Sequence, residues 1–96
     1  MDLQDFRIQI DRIDGEILEL FAERMAVSRK IAEYKKARGL PVFDAARESE
    51  KLAAVRAKAG PEMQDYAREL FAALIKLSRD YQNNYLDAAS QSGNEA

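Results

Sequence analysis

The sequence predicts an all-α fold of three helices, long, short and long, with a first helix long enough to need a second chain against it. Three observations predict the helices: apolar residues recur at alternating steps of three and four through the first third of the chain, two Gly/Pro breaks divide the remainder, and no segment alternates with the two-residue period of a strand. The first segment carries Leu3, Phe6, Ile10, Ile13, Ile17, Leu20, Val27, Ile31 and Tyr34 at that spacing. This is the a/d pattern of one long helix with a narrow apolar seam. The helix is expected from about Asp5 to Ala37, because Gly15 alone costs only about 1 kcal/mol against Ala. Arg38-Gly39-Leu40-Pro41 then brings a basic last turn, a glycine stop and a proline that cannot continue the helix.

A second helix is expected from the N-cap Asp44 to about Lys58, with Leu52 and Val55 turned inward. Ala59-Gly60-Pro61 forms the next break. A third helix follows from about Glu62 to Asp87, with Met63, Tyr66, Leu70, Ala73, Leu74, Leu77 and Tyr81 as its core stripe. Residues 1–88 thus read as one helical domain, and the small, polar, aperiodic stretch 89–96 as a disordered tail. A first helix of about 33 residues spans roughly 50 Å, whereas a compact chain of this length is roughly 32 Å across. The helix overshoots its own domain, so its seam needs another chain. The simplest cover is a two-fold related copy, and the alternative is a different coiled-coil partner.

Composition narrows the function. The 96 residues are 47% hydrophobic and 33% charged with four Gly and two Pro, which excludes disordered, collagen-like and low-complexity chains. The absence of Cys and His removes disulfides, thiolate catalysis, the commonest metal ligands and any Ser-His-Asp triad. Any chemistry must then proceed without thiol, imidazole or soft-metal sites. With 15 basic and 17 acidic residues, the net charge of −2 gives no global attraction to nucleic acid or anionic membrane. No apolar run approaches the roughly 18 residues of a transmembrane helix, and Met1-Asp2-Leu3-Gln4-Asp5 is unlike a signal peptide, so the expected location is the cytoplasm.

One seam position breaks the pattern. The a position between Leu20 and Val27 is Arg24, and an unpaired guanidinium on a buried stripe costs several kcal/mol. Arg24 either sets the register, pairs with a carboxylate such as Glu19 or Glu23, or awaits an anion. Lys35 lies eleven residues on, within about 20° of three full turns and roughly 16 Å along the helix, so both cations project from one side. Arg7 shares the heptad position of Lys35 but lies about 42 Å away along the same helix. It reads as solvated surface in its own chain, or as a cation delivered by an antiparallel partner helix. Asp44, Arg47 and Glu48 share one face at the start of the second helix. Ser78 and Gln82 stand at i, i+4 on the third, beside Phe71, Ile75 and Tyr85. Each set alone also fits a cap, a solvated face or a boundary pair.

Taken in order, these positions resemble the all-helical class of chorismate mutases over about residues 3 to 86. The resemblance rests on Arg7 and Asp14, Leu20-Phe21-Ala22-Glu23-Arg24, Ile31 to Lys35, Pro41-Val42-Phe43-Asp44-Ala45-Ala46-Arg47-Glu48, Phe71, and Ser78-Arg79-Asp80-Tyr81-Gln82. It implies an intertwined homodimer with two active sites that rearranges chorismate to prephenate on the way to Phe and Tyr. It further implies that Arg24 and Arg7 of the partner subunit hold the two substrate carboxylates, and that Lys35 and Gln82 donate to the ether oxygen of the breaking bond. Glu48 and the Asp44 backbone would hold the ring hydroxyl, with Arg47 and Ser78 completing the polar wall. None of these positions departs from the family pattern.

The chemistry suits the composition. A [3,3] rearrangement is intramolecular and needs no nucleophile, metal or cofactor, only selection of the chair-like conformer and stabilisation of the separating charge. Arg forks match carboxylates, and a Lys ammonium answers negative charge developing at the ether oxygen. Three alternatives stand beside this reading. One is pyruvate elimination from isochorismate on the same fold, toward which Glu48 and Ser78 lean less. The second is a domain that regulates a partner enzyme. The third is a non-catalytic dimerisation module, which leaves Arg24 and Gln82 unexplained. The polar ending carries the expectation that no dehydratase or dehydrogenase domain follows.

Overall fold

A computed structural model describes the backbone of residues 1–94 and the side chains of residues 1–89. It contains three helices: α1 (Leu3–Ala37), α2 (Ala45–Ala59) and α3 (Gln64–Asn94). No helix among the described residues is long and apolar enough to cross a membrane.

Each boundary has a local cause. Asp2 caps α1 by accepting from the Asp5 backbone N–H at 3.0 Å while the Asp5 carboxylate accepts from the Asp2 N–H at 3.1 Å. This reciprocal box starts the helix at Leu3, two residues before the expected Asp5. At the other end the Leu40 N–H reaches the Lys35 carbonyl at 2.9 Å and the Gly39 N–H reaches that of Lys36 at 3.3 Å. Gly39 sits at φ 66°, the left-handed position such a C-terminal motif requires. The Asp44 side chain accepts from the Arg47 N–H at 3.0 Å to open α2. Gly60 ends α2 at φ 83° and ψ 167°, where a side chain is strained. Pro61, Glu62 and Met63 form a turn rather than the expected first helical turn, so α3 begins at Gln64. An Arg56–Asp65 ion pair at 3.2 Å spans this junction. The helical backbone of α3 continues to Asn94, past Asp87. The expected tail over 89–96 falls mostly on positions outside the described side chains, and 95–96 lie outside the description altogether.

α3 packs on both α1 and α2, and those two do not pack on each other. The chain is extended, 60 × 29 × 14 Å with a radius of gyration of 17.3 Å, where a compact chain of this size has about 12.5 Å. Every residue from Leu3 to Leu20 is exposed, so the first half of α1 overhangs the rest of the subunit. Its surface of 7535 Å² exceeds the roughly 5600 Å² of a compact monomer of 10.9 kDa by about 1900 Å².

Large apolar side chains stand on this surface. All nine seam residues of α1 are exposed, and Ala32 and Val55 are the buried hydrophobic residues among those described. The stripe expected as the α3 core needs correction. Met63, Tyr66, Leu70, Ala73 and Leu77 are exposed, and only Leu74 and Tyr81 are half-buried. α3 instead turns Phe71, Ile75, Ser78 and Gln82 toward its neighbours. Amphipathicity identifies an apolar face, and in this chain much of that face is exposed. Gly60→Ala is expected to lower stability by about 1–3 kcal/mol, read by urea denaturation at fixed protein concentration.

Candidate active site

Where α3 crosses between α1 and α2, the chain frames a cavity of about 490 Å³. Arg24 and Lys35 reach it from α1, Asp44, Arg47 and Glu48 from the start of α2, and Ser78 and Gln82 from α3. Seven of the eight residues singled out in the sequence therefore line one cavity. The eighth, Arg7, does not. It lies on the exposed overhang of α1, seventeen residues or about 26 Å along the helix from Arg24.

Helical spacing accounts for the convergence. Arg24, Ser28, Ile31 and Lys35 follow one another at steps of four, three and four, placing them on a single stripe of α1. Phe71, Ile75, Ser78 and Gln82 form the matching stripe of α3. The α1–α2 loop is drawn across the end, because Lys35 Nζ donates to the Val42 carbonyl at 2.9 Å. That bond, with the Asp44 cap, presents the first turn of α2 to the cavity.

The electrostatics are lopsided. Five cations line the cavity (Arg24, Lys35, Arg47, Lys51 and Arg79) against two carboxylates, Asp44 and Glu48. Both carboxylates are already engaged. Asp44 caps α2, and Glu48 receives Arg79 Nη1 at 2.7 Å on each of its oxygens. Arg24 Nη1 meets only the Leu74 carbonyl, at 3.3 Å, and among the described residues neither Arg24 nor Lys35 has a carboxylate within ion-pair distance. The internal ion pair considered for Arg24 is thus not formed. The cavity has a formal charge of +3 and apolar walls from Val27, Ile31, Phe71 and Ile75. It suits a small dianion with a hydrophobic ring.

Three polar lining residues were assigned no role in the site from the sequence. Arg79 and Lys51 look like solvated charges, yet Arg79 stands next to Ser78 and Lys51 follows Glu48 by one helical step. Ser28 looks like a tolerated small residue, although it is four residues from Arg24 on the same stripe. Its hydroxyl lies 2.6 Å from that of Ser78.

Comparison with known proteins gives this geometry a family. The family described as "Chorismate mutase type II" matches residues 6–83, which span all three helices. The chain belongs to the type II chorismate mutase family. A chorismate mutase of Methanocaldococcus jannaschii is 32% identical over 87 residues, covering 88% of each chain. The solved structure of chorismate mutase (form II) from Thermus thermophilus superposes with a TM-score of 0.79 at 35% identity, over 84% of this chain and 93% of that one. A bifunctional chorismate mutase/prephenate dehydratase of Aquifex aeolicus is 43% identical over 49 residues, 51% of this chain but 14% of that longer protein. The three-helix order and the all-α class of this chorismate mutase homologue stand as the sequence predicts.

The Arg79–Glu48 pair has side chains 30% and 25% exposed, so solvent screens it only in part. A double-mutant cycle of Arg79→Leu and Glu48→Gln, read by urea denaturation, is expected to give a coupling of about 1–2 kcal/mol.

Proposed function

We propose that this protein is a chorismate mutase in function as well as in family, converting chorismate to prephenate in Phe and Tyr biosynthesis in the cytoplasm. The observation that carries this reading is the positive cavity, in which Arg24 has no counter-ion among the described residues. The substrate is a dianion whose two carboxylates supply that missing charge. In the rearrangement the C–O ether bond breaks as a C–C bond forms, and no proton or electron enters or leaves. Catalysis then consists of holding the compact chair-like conformer and stabilising the oxygen as it gathers negative charge.

Arg24 takes one carboxylate through its fork, and Arg7 of the partner subunit takes the other. Lys35 and Gln82 donate to the ether oxygen. Glu48, braced by Arg79, and the Asp44 backbone hold the ring hydroxyl, while Arg47 and Ser78 close the polar wall. A homodimer is part of the proposal. The surplus surface of about 1900 Å² per chain corresponds to about 3800 Å² for a pair, within the range of obligate homodimers. The exposed seam and the distance of Arg7 from its own cavity support the same assembly.

Purified protein is expected to consume chorismate and yield prephenate, identified by mass and by loss of chorismate absorbance. Pyruvate and salicylate formed from isochorismate would instead identify a lyase, and no turnover of either substrate would overturn the enzymatic reading. Arg24→Ala and Lys35→Ala are each expected to lower kcat/KM by about 10²–10³ with helicity and dimer mass retained.

Gln82 donates without being protonated, so the wild type should show no steep loss of turnover between pH 6 and 8. Gln82→Glu donates only when its carboxyl is neutral, below its pKa. Turnover of that variant should therefore fall as pH rises from acid to neutral.

A further inference from the structure

Three polar side chains are buried among the described residues: Ser28 (4% exposed), Gln82 (7%) and Ser78 (9%). They form one continuous chain of hydrogen bonds. Ser28 Oγ lies 3.0 Å from the Arg24 carbonyl oxygen and 2.6 Å from Ser78 Oγ, and Gln82 Nε2 donates to Ser78 Oγ at 3.2 Å.

Proton counting sets the direction of every bond in this chain. A carbonyl only accepts, so the single hydroxyl proton of Ser28 goes to Arg24 O. Ser28 must then accept from Ser78, which uses the single proton of Ser78. Ser78 is left as an acceptor toward Gln82 and can hold only the nitrogen end of that amide. A serine hydroxyl with its proton still free would accept the Gln82 nitrogen or donate to the Gln82 oxygen equally well, because the two ends of the amide have nearly the same shape. The orientation is maintained although it leaves Gln82 Oε1 buried without a partner, an arrangement disfavoured on its own.

We infer that Ser28 is a positioning residue for the reaction. It polarises the Ser78 hydroxyl, thereby fixes which end of the Gln82 amide is anchored, and keeps the second Nε2–H free to donate to the substrate's ether oxygen. The same relay ends on the backbone of Arg24, so the carboxylate-binding helix and the ether-oxygen donor are held in one register. Ser28 touches no reacting atom; it acts through Ser78 and Gln82. Replacing it with Ala frees the Ser78 proton for Gln82 Oε1 and lets the amide reverse, turning an acceptor toward the place where a donor is needed.

The inference rests on the reaction proposed above, and two measurements on the full-length protein separate them. Ser28→Ala is expected to lower kcat about five- to tenfold with KM nearly unchanged, and to change kcat less than twofold in a Gln82→Ala background, where no amide remains to be oriented. An equal effect in both backgrounds would overturn the inference, since a merely structural serine acts independently of Gln82. The second readout needs no turnover. The ¹⁵N-resolved side-chain NH₂ of Gln82 should contain one slowly exchanging proton in the wild type and lose that protection in Ser28→Ala. An unchanged pair of resonances would also overturn the relay. A wild type inert toward chorismate would remove the proposed reaction while the amide signal still decides the hydrogen-bond chain.

Discussion

Arg24 stands beside the exposed apolar seam of the long helix, and among the described residues its guanidinium meets one backbone carbonyl, at 3.3 Å. Much of the remaining structure follows from that imbalance. A guanidinium held beside an apolar seam without a carboxylate is stable only if the space beside it stays wet or is filled by an anion. α3 keeps the space open by turning Ser78 and Gln82 toward it, on one stripe with Phe71 and Ile75, while Leu70 and Leu77 stay exposed. α2 brings Arg47 and Lys51, while Asp44 and Glu48 are already occupied by the helix cap and by Arg79. The result is a cavity that is charged without being neutralised.

The same choice explains why a subunit of this size has so little interior. With α3 using that stripe inside, Leu70, Leu77 and the α1 seam remain on the surface, and no large side chain is fully buried among the described residues. The cavity and the exposed apolar surface are thus two consequences of one division of faces. The inner faces of the three helices build the cavity, and the outer faces build the surface that a second copy would cover. A chain that buried its aliphatic stripes within itself would gain hydrophobic stabilisation of its own at about 25 cal/mol per Å² but would close the cavity.

Helix number, order and most boundaries were legible because capping residues, Gly39 and Gly60 act locally. Arg24 was legible because it violates a periodic pattern, and Lys35 because eleven residues bring the chain back to the same side of a helix. The inward face of α3 was not legible. Periodicity reveals which residues are apolar together, whereas the choice between burial inside one chain and burial between two depends on the whole assembly. Arg79, Lys51 and Ser28 were assigned no role for a related reason. A surface arginine and one that clamps a carboxylate have the same local sequence, and only the crossing of α3 over α2 distinguishes them.

The central claim is that cations from two copies of this chain meet around one dianion, and subunit mixing tests it most directly. Arg7→Ala and Arg24→Ala homodimers should each be nearly inactive, because every site lacks one carboxylate partner. Refolded together, they should recover about a quarter of wild-type activity, since half of the dimers are mixed and each of those holds one intact site. A mixture that forms heterodimers yet stays as inactive as its parents would contradict the account.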